Sequence, residues 1–170
     1  FIVAKLNIVC GNILDYLDSK DLIVNSANKN MFCGSGICNL IYEKANKELL
    51  EEYCKKQYKD NMKVNEVRFS PGFDIGIDIL HILCPNYYEY EDVNVAINDL
   101  LFSYYKIIIE AKKNMYKSII SVSLGTEVQG YKHNDIAKKV VELLNYLVLK
   151  YDIDFTLILP NEEIKNLYEI

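Results

Sequence analysis

The stretch Leu22-Ile-Val-Asn-Ser-Ala-Asn28, followed by Lys-Asn-Met-Phe-Cys-Gly34-Ser-Gly36-Ile-Cys38-Asn, decides how the rest of the chain reads. An apolar run of buried-strand type ends in two Asn spaced by small residues, and a Gly-Ser-Gly turn then opens a segment of helical periodicity. Small residues let a ligand approach the backbone, and the N–H groups at a helix start have no partner within the helix and favour an anion. Asn side chains offer both donor and acceptor, which suits the hydroxyls of a ribose. The plainer alternative is that Asn25 and Asn28 stabilise a turn and the glycines end a loop. These residues alone leave both readings open.

The same strand-then-helix grammar recurs outward from this stretch. Apolar runs rich in β-branched residues mark strands at Phe1–Val9, Asp21–Asn25, Glu66–Ser70, Ile77–Cys84, Ser118–Ser123 and Asp154–Leu159. Helical periodicity covers Ile37–Ala45 continuing into Lys47–Tyr58, then Val93–Lys113, Asp135–Lys150 and a closing Glu162–Ile170. Strands that alternate with helices imply crossover connections and a parallel sheet covered on both faces, whereas two strands in succession imply an antiparallel excursion. The expected fold is α/β, a three-layer α/β/α sandwich around a mixed, largely parallel sheet of about six strands. In such sheets ligands bind beyond the carboxyl ends of the strands, where loops lead into helix N-termini.

Composition narrows the function classes. The 170 residues are 51% hydrophobic and 25% charged, which provides for a full core and excludes disorder. A formal charge of −5 argues against nucleic acid as the main partner. Arg68 is the single Arg, so a phosphate ligand would have to be held by backbone N–H groups rather than guanidinium forks. The five Cys at 10, 33, 38, 54 and 84 form no CxxC pair and read as reduced thiols in a cytoplasmic setting; neither a metal nor a cofactor is expected. No apolar run suggests a membrane span. Without linker or repeat, residues 1–170 read as one domain. A first residue of Phe rather than Met suggests a piece of a longer chain, with a possible fused domain outside it.

Two further segments could carry chemistry. Ile119-Ile-Ser-Val-Ser-Leu-Gly125-Thr-Glu-Val-Gln-Gly130-Tyr-Lys-His-Asn134 is again a strand, a loop with two glycines and a helix, for which Asn134 is the expected N-cap. Such a loop can wrap a diphosphate with backbone amides, with Thr126 adding a hydroxyl, although neither Gly-Lys-Ser/Thr nor GxGxxG is present. Val64-Asn-Glu-Val-Arg-Phe-Ser-Pro-Gly72-Phe leads to Ile79-Leu-His81-Ile-Leu-Cys84-Pro85. Here Pro71-Gly72 reads as a turn between neighbouring strands, and His81 as a core residue rather than a catalytic one.

Together these segments resemble the macrodomain family, whose members typically bind ADP-ribose. Asn25-Ser-Ala-Asn28 with Gly34-Ser-Gly36-Ile resembles the family's Asn-Ala-Ala-Asn and glycine loop, and Gly125-Thr-Glu-Val-Gln-Gly130-Tyr-Lys resembles its second glycine loop. Ser70-Pro-Gly72-Phe with His81-Ile-Leu-Cys-Pro85, and Cys10-Gly-Asn12-Ile13 in place of Gly-Asp-Ile, complete the series in family order. The resemblance implies a ligand, ADP-ribose or an ADP-ribosylated protein, held by Asn12, Ile13, Asn25, Ala27, Asn28, Gly34, Ser35, Gly36, Ile37 and Cys38. From the second loop it implies Leu124, Gly125, Thr126, Glu127, Val128, Gln129, Gly130 and Tyr131. Asn12 would accept the adenine amino group and Asn28 would contact the distal ribose, where any catalysis would also centre.

Three departures qualify what the resemblance implies. Cys38 stands where many hydrolytic members carry an Asp, and a thiol near its free pKa of ~8.5 is mostly protonated at neutral pH. Glu127 replaces the middle loop glycine, where a carboxylate facing a diphosphate is repulsive. It therefore turns outward, weakens binding, or signals another ligand. Gln129 replaces a ribose-side aromatic, and Pro160-Asn-Glu follows the last strand, so loss of adenine stacking is expected. The alternatives are an ADP-ribosyl hydrolase using Glu127 or Asp74 as base, and an interaction module without nucleotide.

Overall fold

Period-two alternation along the apolar strands sets the architecture. Leu22 and Val24 face one side of the sheet and Ile23 the other; Leu80 and Ile82 oppose Ile79, Ile119 opposes Ile120, and Leu157 opposes Ile158. Strands with both faces apolar are stable only between two helical layers. The structure, a computed structural model, describes residues 3–169. Its strands are β1 (Leu6–Cys10), β2 (Leu22–Ser26), β3 (Val67–Ser70), β4 (Asp78–Ile82), β5 (Ser118–Val122) and β6 (Asp154–Leu159). Its helices are α1 (Gly36–Ala45), α2 (Lys47–Gln57), α3 (Val93–Lys113), α4 (His133–Tyr151) and α5 (Glu162–Tyr168).

The sheet runs β1-β6-β5-β2-β4-β3, parallel throughout except for the β3–β4 pair at one edge. Helices α1 and α2 cover the Ile23–Ile120 face through Ile41, Tyr42, Leu50 and Cys54. On the other face α3 and α4 pack Leu100, Tyr104, Ile108, Val140 and Leu144 against Leu22, Leu80 and Phe155. The expected three-layer α/β/α sandwich with a mixed sheet is therefore what the chain forms. Among the described residues, no helix is long and apolar enough to cross a membrane.

Several boundaries differ from expectation. The first strand begins at Leu6 and the last helix ends at Tyr168; Phe1, Ile2 and Ile170, which the expected elements included, lie outside the described residues. The β4 strand stops at Ile82 rather than Cys84. Helix α4 starts at His133, with Lys132 in the capping position and no side-chain cap, so Asn134 sits in the first turn instead of capping it. Between β3 and β4, Gly72 precedes a short 3-10 turn, Phe73–Ile75.

Arg68 points into the protein. Its Nε pairs with Glu66 at 2.8 Å, its Nη1 donates to the Asp60 carbonyl at 2.8 Å, and the guanidinium lies 4.9 Å from the Tyr58 ring centre. Only 8% of it is exposed, so the one guanidinium serves the segment beneath the first glycine loop.

Candidate functional site

A crevice opens because two central strands part. The β2–β5 pairing consists of Leu22↔Ile119 and Ile23↔Ile120, and beyond these pairs the strands diverge toward their carboxyl ends. From there the chain leaving β2 turns to the α1 face and the chain leaving β5 to the α4 face. This is the switch point at which open α/β sheets take ligands.

The crevice is a trench of three adjoining compartments. The largest, about 800 Å³, is lined by Ala27, Asn28, Gly34, Ser35, Cys38, Val128 and Gln129, with Lys63, Asn86 and Glu89 on its outer side. A neck of about 30 Å³ follows, bounded by Ser35, Ile37, Gly125, Thr126 and Glu127. The third, about 260 Å³, has apolar walls of Val122, Ile158, Leu159 and Pro160 and polar edges at Ser123 and His133. Ser35, Val128 and Gln129 border both the first compartment and the neck, and Thr126 and Glu127 border both the neck and the third compartment.

The first loop is pinned from behind. Register places Asn25 opposite His81, and Asn25 Nδ2 lies 3.0 Å from His81 Nδ1 and 3.7 Å from Cys38 Sγ. Ser70 Oγ donates to the Pro71 carbonyl at 3.1 Å and lies 2.8 Å from His81 Nε2. That arrangement assigns the imidazole proton to Nε2 and leaves Nδ1 to accept from Asn25. Burial pushes the His81 pKa down to about 3, so the ring is neutral. The core role expected of His81 is the one it fills. Asn28 folds its own loop, with Nδ2 donating to the Phe32 carbonyl at 2.7 Å and Oδ1 accepting from the Phe32 N–H at 3.1 Å. At the loop end, Ser35 precedes α1 without a side-chain cap, and Gly36 adopts φ +58°.

The second loop is held by aromatic hydroxyls and backbone. Leu124 N–H donates to Tyr104 OH at 2.8 Å, and Tyr131 closes the loop through its N–H to Gly125 O at 2.9 Å. Tyr131 OH is bonded to the Ala96 carbonyl at 2.6 Å, and the Tyr87 N–H to Gln129 O at 2.8 Å. Gly130, at φ +83°, presses on the Tyr88 ring, where any Cβ would collide. Thr126 spends its hydroxyl proton on the Ser123 carbonyl at 3.1 Å.

The two loops thus bring together Ala27, Asn28, Gly34, Ser35, Gly36, Ile37, Cys38, Gly125, Thr126, Glu127, Val128 and Gln129 around the trench. Others named from the sequence stand behind it. Asn25, Ile13, Leu124 and Tyr131 are buried in the core, and Gly130 underlies Tyr88. Asn12 is exposed and caps the Ile13–Tyr16 turn, with Oδ1 accepting from Leu14 N–H at 3.0 Å. It is Gly11 that borders the third compartment. Asp74 is exposed in the turn before β4, at the opposite end of the parallel strands from the trench, which removes it as a base acting there.

Glu127 does not take the first of the three outcomes expected for it, an outward turn. It is exposed, yet its carboxylate reaches across the neck and lies directly against Gly36. The Cys38 thiol is held above its ordinary pKa, chiefly by burial, which keeps it protonated and disfavours a nucleophilic role.

Sequence reasoning missed Ser123 and His133, and marked Pro160 only as a departure from the family's pattern. His133 Nδ1 lies 2.8 Å from Tyr168 OH, which in turn lies 2.9 Å from Ser123 Oγ, so a fully buried tyrosine sets the imidazole at the wall of the third compartment. Its position at the mouth of a predicted helix was the available signal.

The family model described as Macro domain matches residues 24–140, and the chain belongs to the macrodomain family. Among solved structures it is similar to the Oceanobacillus iheyensis macrodomain, both a mutant with ADPR and a form with ADP. Each is 23% identical with a TM-score of 0.85, over 98% of this chain and 90% or 88% of the other. The Trypanosoma brucei macrodomain in complex with ADP-ribose is 22% identical with a TM-score of 0.79, over 96% of this chain and 67% of that one. No curated protein matches the chain by sequence.

Proposed function

We propose that this macrodomain binds ADP-ribose, free or attached to a protein, along the trench between its two glycine loops. The observation that carries the reading is the three-part cavity. An apolar slot of about 260 Å³ suits a nucleobase, a neck between the second glycine loop and the start of α1 would take a diphosphate once the Glu127 side chain moves aside, and a wide compartment edged by Asn28 and Gly34 suits the distal ribose. Structures of the same fold that hold ADPR, ADP and ADP-ribose support it. The width of the first compartment, about 800 Å³, leaves room for a group attached to that ribose.

Binding rather than hydrolysis is the activity we assign, since Cys38 is a protonated thiol, Asp74 lies away from the trench and the Glu127 carboxylate is packed on Gly36 at the neck. The free thiols fit a reducing, cytoplasmic setting. Calorimetric titration with ADP-ribose tests the reading: saturable binding that Asn28→Ala weakens supports it, and no heat at millimolar ligand refutes it. Release of ADP-ribose from a modified protein on incubation would move the assignment to a hydrolase.

A further inference from the structure

Glu127 stands where a ligand's phosphates would have to pass, and its surroundings say what it does there. Gly36 is the first residue of α1, a ten-residue helix. A Cβ built on it would overlap Glu127 Oε2 and come within 2.9 Å of Glu127 Cδ, so the carboxylate is packed on the bare Cα of the helix's opening residue. The N-cap, Ser35, makes no side-chain hydrogen bond to the helix. The uncapped end of α1 carries partial positive charge, and the carboxylate stands beside it as a negative charge without accepting a hydrogen bond from the helix N–H groups.

Two features show that the contact is not an ordinary ion pair. Among the described residues Glu127 joins no salt bridge, so no cation within 4 Å draws it to this spot. The neck it crosses is also the narrowest part of the trench, about 30 Å³ between compartments of about 800 and 260 Å³. The neighbouring Val128 is 70% exposed, so this part of the loop has solvent into which a displaced side chain can swing.

We propose that Glu127 is the specificity-determining residue of this trench: its carboxylate serves as a built-in anion on the start of α1, and a diphosphate ligand binds only by displacing it. The proposal rests on the ADP-ribosyl reading for its ligand and goes beyond it in assigning selectivity. A ligand lacking phosphate, such as adenosine in the third compartment, borders Glu127 but brings no negative charge to it, and gains little from removal of the carboxylate. A diphosphate meets like charge at a few ångströms and competes for the same helix end. Glu127 therefore raises the threshold for nucleoside diphosphates while leaving the ends of the trench unaltered.

The test compares wild type with Glu127→Gln, which removes the charge and keeps the bulk, and Glu127→Ala, which removes both. Each protein is titrated with ADP, ADP-ribose and adenosine. The expected result is that ADP and ADP-ribose bind about tenfold tighter to Glu127→Gln, the scale of one partly screened unit-charge repulsion, and at least as tightly to Glu127→Ala. Adenosine affinity stays within about twofold. Unchanged or weaker diphosphate binding in both variants overturns the proposal, as does an equal gain for adenosine. If none of the three proteins binds either diphosphate, the ADP-ribosyl reading fails, and the built-in anion is judged in the free protein by amide hydrogen exchange at Gly34–Ile37. Faster exchange in Glu127→Ala then supports it, and identical exchange overturns it.

Discussion

Acidification should destabilise this protein through His81, and the amount follows from its burial. In the unfolded chain a histidine titrates near 6.5, whereas burial in the folded protein holds His81 down to about 3. Between those values the unfolded chain binds a proton that the folded one refuses, so stability falls as pH drops. The contribution is complete above about pH 6.5, erodes by about 1.4 kcal/mol per pH unit below it, and stops changing once the folded form also protonates near pH 3. From neutral pH to about pH 4.5 the loss is about 3 kcal/mol, a large share of the ~5–15 kcal/mol typical of a domain. Protonation also ends the acceptance by Nδ1 of the Asn25 amide, which braces the first glycine loop from behind. The assay is urea unfolding followed by circular dichroism at about pH 7.5 and pH 4.5, on wild type and on His81→Gln. The variant starts less stable, because its amide replaces the ring between Asn25 and Ser70 imperfectly, but should lose about 3 kcal/mol less on acidification. His133 and the carboxylates titrate in both proteins and cancel in the comparison. Equal acid losses in the two would refute the reasoning.

Other outcomes follow from single contacts. Gly72→Ala should lower the melting temperature by several degrees, about 2 kcal/mol or more, because the new Cβ meets the backbone carbonyl of Ile77; Gly76→Ala, with open space and φ +89°, should cost only about 1 kcal/mol by the same thermal scan. Asn28→Ala removes both hydrogen bonds to Phe32 and should cost about 1–2 kcal/mol in chemical unfolding while reducing ADP-ribose affinity at least tenfold by calorimetry. Tyr168→Phe removes the hydroxyl shared by Ser123 and His133. It should cost about 1–3 kcal/mol and weaken adenosine binding more than it changes the contacts of the first loop, a difference that chemical-shift mapping reads directly.

The layers were legible because both faces of β2, β4, β5 and β6 are apolar, and consecutive residues such as Leu22 and Ile23 can each find a core only if helices cover both sides. The loops were legible from their glycines and from the Asn pair. What the sequence did not disclose depends on partners far away in the chain. Asn25 reads like a ligand contact until β2–β4 register sets it against His81, and Leu124 looks available until Tyr104 takes its N–H. Asn12 was legible as a polar residue at a strand end, but not as one whose carbonyl is committed to capping the next turn. Glu127 was visible as an intrusion in the second loop; its landing on Gly36 depends on the splay of β2 from β5, which no local pattern encodes.

The burial of Arg68 bears on how far such a molecule can drift. With its single guanidinium committed to Glu66, Asp60 and Tyr58, the protein has no Arg free to meet an anion in the trench, and what the two glycine loops themselves would offer one is main-chain N–H, which every residue type but Pro carries alike. Side chains around such a site can turn over extensively while the amides keep their places, provided the glycines and the strand geometry hold. The fold shared with the Oceanobacillus iheyensis macrodomain at a TM-score of 0.85 and 23% identity shows that most side chains can differ along one backbone path.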